Sequence, residues 1–116
     1  MIKAEQHYKK SLSIHEALGR KEGIANQYGN LGKVYQSRGD MNKAEQQYKK
    51  SLNIHEAIGC TVGMAKQYSN LGLVHRLCGD VENAGKYWQQ ALELFMEIGA
   101  SPMVKQVQGF LKSLEK

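Results

Sequence analysis

Two His-Glu pairs, His15-Glu16 and His55-Glu56, are the first residues in the chain whose types suggest chemistry. A zinc-binding helix of the His-Glu-x-x-His kind needs a second histidine four residues on, so that both imidazoles share one face. Gly19 and Gly59 stand at those places instead. The pairs therefore read as one surface position copied twice, and no metal ligand is assigned. Cys60 and Cys78 are the only cysteines. On one continuous helix they would stand about 27 Å apart, far beyond the reach of a disulfide, so free thiols and a reducing compartment are expected. No nucleophile elbow or phosphate-binding loop is present, so no catalytic residue and no cofactor are assigned and no enzymatic activity is expected.

The His-Glu duplication belongs to a larger one. Residues 4–43 realign on residues 44–83 without a gap, and roughly 23 of the 40 paired positions are identical. Chains with periods of this length bury their apolar faces against neighbouring copies, which places function on a shared surface rather than in one pocket. A binding scaffold is favoured over an enzyme.

Composition agrees. Sixteen basic and eleven acidic side chains give a net charge of +5, and the hydrophobic fraction is 41%. That charge favours acidic partners but falls short of the dense basic clusters of a dedicated nucleic-acid binder. No apolar run is long enough to cross a bilayer, and the first seven residues lack the layout of a signal peptide, so a cytoplasmic location and no membrane association are expected.

The elements that must position any site are helices. Tyr28, Leu31, Gly32 and Tyr35 fall at i, i+3, i+4 and i+7, the spacing of one helical stripe. Gly39 breaks that helix, and Asp40 is suited to cap the next, which carries Ala44, Tyr48, Ser51 and Leu52 inward. The order returns through Tyr68, Leu71, Gly72, Gly79, Asp80, Ala84, Trp88 and Ala91. Small residues at Gly32, Ala44, Ser51, Gly72, Ala84 and Ala91 mark close approaches between helices. Ser101 and Pro102 supply an N-cap and a first helical residue for a last helix, with Val104, Val107, Leu111 and Leu114 on its stripe and Met103 and Phe110 outside it. The prediction is six helices in a single array over 1–116: a half repeat at 4–18, repeats at 21–58 and 61–98, and a terminal helix at 102–115.

The order Tyr28, Leu31-Gly32, Tyr35, Gly39-Asp40, Ala44, Tyr48, Ser51 resembles the tetratricopeptide repeat signature, and the second copy repeats it with His75 in place of the tyrosine. The 40-residue period, with Glu56 and Met96 where the family usually has proline, resembles the long variant found in kinesin light chains, LGN-type adaptors and many bacterial repeat proteins. The resemblance implies an all-α fold, an α-solenoid of antiparallel helix pairs, that binds protein or peptide in a concave groove lined by the first helix of each pair.

On those helices, Asn26, Asn30, Lys33 and Ser37 lie at i, i+4, i+7 and i+11, rotated away from the core stripe; their counterparts are Lys66, Asn70, Leu73 and Leu77, with Gly29, Gln36, Ser69 and Arg76 beside them. A carboxamide both donates and accepts, so Asn30 and Asn70 can bond the backbone of an extended peptide. Lys33, Lys66 and Arg76 add attraction for acidic groups, and Leu73 and Leu77 an apolar anchor point, so an acidic, amphipathic peptide fits this wall. Two rival readings accompany it. Lys3, Lys9-Lys10, Lys43, Lys49-Lys50 and Lys86 could form an outer basic stripe for nucleic acid, and the first helix, with no partner on its inner face, could join two chains into a homo-oligomer through the terminal helices.

Overall fold

The structure, a computed structural model, describes residues 2–115. Residues 1 and 116, the two ends of the predicted 1–116 array, lie outside the described residues. Six helices follow one another: α1 (Ile2–Leu18), α2 (Lys21–Ser37), α3 (Met41–Ile58), α4 (Thr61–Leu77), α5 (Val81–Glu97) and α6 (Ser101–Ser113), with no strand among the described residues.

The period of the turns is 20 residues, half that of the sequence repeat. Gly19, Gly39, Gly59, Gly79 and Gly99 all have left-handed backbones, with φ between 67° and 82°. An L side chain is strained there, which is why glycine recurs. After these glycines the chain folds back on the helix it has just left: the N–H groups of Arg20, Asp40, Asp80 and Ala100 donate to the carbonyls of His15, Tyr35, His75 and Phe95 at 2.8 to 3.0 Å. This closure satisfies carbonyls that a helix end otherwise leaves open.

The residue after each glycine becomes the N-cap. Asp40 and Asp80 do this with their carboxylates, accepting from the N–H of Lys43 at 3.3 Å and of Asn83 at 3.1 Å. Arg20, Cys60 and Ala100 hold the same place without a side-chain bond. Ala100 corrects the expected start of α6: the glycine turn fixes the cap position by phase, so Ser101 is already helical and Pro102 lies within the first turn, where its missing N–H removes no intrahelical bond.

The chain forms two compact units, residues 1–59 and 60–116. In the first, α1 packs on α2 and α2 on α3. Its buried residues include Ala25, Leu31, Val34, Tyr35, Ala44, Tyr48, Ser51 and Leu52. In the second, α4 packs on α5 and α5 on α6, around Ala65, Leu71, Val74, Ala84, Trp88, Ala91, Phe95 and Val107. Met103 and Phe110, expected outside the stripe of α6, pack against this core together with Val104, Leu111 and Leu114. Phe110 stacks on Trp88 with ring centroids 5.0 Å apart.

The small residues admit rings rather than bare helix backbones. A Cβ at Gly32 would lie 2.5 Å from the Tyr48 ring, and one at Gly72 would lie 2.4 Å from the Trp88 indole. Each ring also anchors its polar edge: the Tyr48 hydroxyl donates to Gln36 Oε1 at 2.8 Å, and Trp88 Nε1 donates to the Ser69 carbonyl at 3.0 Å. Ser51 Oγ, fully buried, donates to the Ala25 carbonyl at 2.7 Å.

Candidate functional site

His15 and His55 are not surface groups. His55 is buried, and His15 lies against α2 so closely that a Cβ at Gly23 would fall 2.3 Å from its Nδ1. That nitrogen is buried and has no hydrogen-bond partner among the described residues, so it is sealed from any ion. Forty residues after His55 the chain has Phe95, which is almost wholly buried. The position serves packing, and among the described residues no cluster of His, Cys, Asp and Glu could hold a metal ion.

The expected binding residues lie on α2 and α4. In the first unit, Asn30 and Lys33 come together with Val34 and Ser37 of α2 and with Ala4 and Tyr8 of α1 around an open depression of about 370 Å³. Lys33 is exposed and Asn30 half-buried, while Asn26, also exposed, lies outside that lining. In the second unit, Lys66 and Arg76 are exposed on α4 and Asn70 is half-buried. Leu73 is half-buried and packs against the core cluster around Trp88, whereas Leu77 is 55% exposed.

Neither asparagine stands alone. Asn30 Nδ2 donates to Gln27 Oε1 at 3.4 Å, and Asn70 Nδ2 makes the same bond to Gln67 at 3.4 Å. Gln67 is itself buried, so the pair holds the Asn70 amide in one orientation. The sequence signal for the glutamines is their recurrence at matching places in the strings Gln27-Tyr28-Gly29-Asn30 and Gln67-Tyr68-Ser69-Asn70. Of the residues expected to flank the asparagines, Gly29 is buried, while Gln36 and the Ser69 carbonyl hold the rings of the partner helices.

The electrostatics of the first unit centre on Glu5. Its carboxylate accepts from the Tyr35 hydroxyl at 2.7 Å and pairs with Arg38 at 2.7 Å and Lys9 at 3.0 Å. The Tyr35 hydroxyl, then Lys9 and Arg38, hold the Glu5 carboxyl down at about 2. Arg38 and Lys43 also lie over the Tyr35 ring, 5.7 and 5.5 Å from its centroid. In the second unit His75 replaces that tyrosine and its Nδ1 lies 3.2 Å from Asp80, whose carboxyl is held below its usual range first by Asn83.

Several lysines of the supposed outer stripe are engaged. Lys9, Lys43, Lys49 and Lys86 pair with Glu5, Asp40, Glu45 and Glu82, and Lys50 lies over Tyr28, 5.4 Å from the ring centroid. Surface pairs of this kind, open to solvent, contribute little net energy. Cys60 and Cys78 are free thiols at opposite ends of α4. No helix among the described residues is long and apolar enough to cross a membrane.

Paired helices on a 40-residue period, with small residues under aromatic rings, define a helical repeat protein of the all-α solenoid class. The chain belongs to the tetratricopeptide repeat family: tetratricopeptide repeat profiles match residues 1–57 and 65–95. Such repeats generally mediate protein–protein interaction. Among solved structures the chain is similar to BtubC (BKLC) from P. vanneervenii, with 26% identity and a TM-score of 0.88 over 97% of this chain and 46% of that one. The chain thus spans about half the length of that relative. The N-terminal domain of stress-induced protein-1 from C. elegans shares the fold, with 19% identity and a TM-score of 0.66 over 98% of this chain and 96% of that one. No curated protein sequence matches the chain.

Proposed function

We propose that the chain is a non-catalytic scaffold of the cytoplasm that binds an extended or amphipathic peptide through residues of α2 in the first unit and of α4 in the second. The observation that carries this reading is the duplicated amide pair, Asn30 on Gln27 and Asn70 on Gln67, at the same 3.4 Å distance. Each glutamine fixes one N–H of its asparagine, leaving the Asn oxygen and a second N–H for a ligand's backbone. Pre-set amides lose little freedom on binding, which favours affinity. Lys33, Lys66 and Arg76 are exposed and make no ion pair among the described residues, so they would meet acidic side chains. Asn26 on α2 and Leu73 on α4 would each border the asparagine of its own unit.

The test is a peptide selected from a random library on the intact chain, followed by fluorescence anisotropy. Replacing Asn30 and Asn70 together with alanine should weaken the peptide by about tenfold or more, two lost hydrogen bonds at about 0.5 to 1.5 kcal/mol each. Unchanged affinity would remove the asparagines from the site.

A further inference from the structure

The two units treat their aromatic rings differently. In the first, the chain covers its own rings with cations: Lys43 and Arg38 lie over Tyr35, 5.5 and 5.7 Å from its centroid, and Lys50 lies over Tyr28 at 5.4 Å. Lys43 also pairs with Asp40 at 3.9 Å, so its ammonium serves a carboxylate and a ring together. Forty residues on, Asn83, Cys78 and Gln90 stand at the places of Lys43, Arg38 and Lys50. None of the three cations is repeated.

The rings, by contrast, increase. Tyr68 keeps the place of Tyr28, His75 takes that of Tyr35, and Tyr87 takes that of Gln47. Tyr87 neighbours both of the others, with ring centroids 5.2 Å from His75 and 6.2 Å from Tyr68. Each of the three is half-buried, so part of each ring stays in water. The carboxylate is kept as well: Asp80 repeats Asp40, its side chain is 37% exposed, and its Oδ2 lies 3.2 Å from His75 Nδ1. Asn83 donates to it from the backbone at 3.1 Å and from the side chain at 2.7 Å. Both of those donors are neutral and leave the negative charge in place.

We infer that Asp80 and the rings of Tyr87, His75 and Tyr68 form a receptor for an arginine side chain of a partner polypeptide. The chemistry of the occupant is read from the first unit, where the chain itself places Lys43 and Arg38 on the matching carboxylate and ring. A guanidinium is flat enough to stack on a ring and forked enough to bond a carboxylate at the same time. Cys78, Asn83 and Gln90 are exposed and carry no positive charge, so they do not repel it. This goes beyond the peptide reading. That wall offers Lys33, Lys66 and Arg76 to acidic groups, whereas this cluster takes a basic one. Tyr68 and His75, seven residues apart on one face of α4, are rotated well away from Asn70.

The probe is N-acetylarginine amide, titrated into the full chain with isotope-labelled tyrosine rings and followed by NMR. The Tyr87 ring signals should shift saturably. N-acetylcitrulline amide, a neutral analogue of nearly the same shape, should bind at least about threefold more weakly, the margin that a cation on an exposed ring supplies. Tyr87→Gln installs the residue of the first unit, and Cys78→Arg/Asn83→Lys/Gln90→Lys installs its three cations. Each should weaken the arginine probe by at least about threefold, read on Tyr68 in the first variant and on Tyr87 in the second. The three residues changed together are exposed, so that variant should keep the helicity of the parent by circular dichroism. Equal binding of the citrulline analogue, or undiminished binding by either variant, would overturn the assignment. The Asn30→Ala/Asn70→Ala chain should bind the probe as the parent does; loss of binding there would place the probe on the peptide wall and overturn it too.

Discussion

Trp88 packs on Gly72, so close that the first atom of any side chain at residue 72 would sit 2.4 Å from the indole. The ring is completely buried and its Nε1 is tied to the Ser69 carbonyl, so it cannot swing away without giving up that hydrogen bond. This contact helps to join α4 to α5 and explains why a helix-weakening glycine stands in the middle of α4.

Gly72→Leu should therefore destabilise the chain by about 1 to 3 kcal/mol or more through overpacking. A fall in Tm of at least about 5 °C by circular dichroism is expected for a chain of this size. An unchanged Tm would show that the helices can part at no cost.

Trp88 is the only tryptophan, which makes its emission a local reporter. Phe110→Ala should remove the stacked ring on one side of it, cost about 2 kcal/mol in lost area and stacking, and shift the emission to the red as water reaches the indole. Emission that stays at the parent wavelength would mean that α6 does not cover Trp88 in solution.

Ser51→Ala tests a buried hydrogen bond whose loss leaves no orphan. The Ala25 carbonyl lies inside α2 and keeps its helical partner, and the second repeat has Ala91 at the equivalent place. The expected cost is about 1 kcal/mol or less by urea denaturation. A loss several times larger would show that the serine does more than bridge α3 to α2.

Glu5 gives a pH signature. Its folded carboxyl titrates at about 2, against a usual value of 4.5, so between those limits the unfolded chain binds the extra proton. Its contribution is complete above about pH 4.5 and disappears as pH falls towards 2, loosening α1 from Tyr35 and Arg38. Because the carboxylate is solvent-accessible, the effect should be modest and should shrink in salt. Glu5→Gln should flatten the acid limb of stability against pH; an identical limb in the variant would assign it to other carboxylates.

Asn30→Ala with Asn70→Ala should leave helicity and Tm nearly unchanged, because each half-buried amide makes one long bond to a glutamine on its own helix. A large fall in Tm would mark the asparagines as structural and detach them from ligand binding.

The amino-acid sequence by itself settled the elements and the family. Glycines with aspartates or their stand-ins behind them punctuate the helices, and the aromatic and small residues return at fixed offsets; these are local signals that a single strand of text carries in full. Which ring rests on which glycine was not legible, because the partner of Gly23 is His15 on another helix, and nothing near either residue announces the other. Hence the sequence presents His15 and His55 as surface groups while packing buries His55 and half-buries His15, and it puts Phe110 off the stripe although that ring stacks on Trp88. The candidate site divides in the same way. Helical spacing put Asn30, Lys33 and Ser37 on one side of α2, but Tyr8 and Ala4, which complete the depression with them, come from α1, and only the docking of one helix against another could bring them there. Helix formation depends on neighbours in sequence, whereas burial depends on neighbours in space.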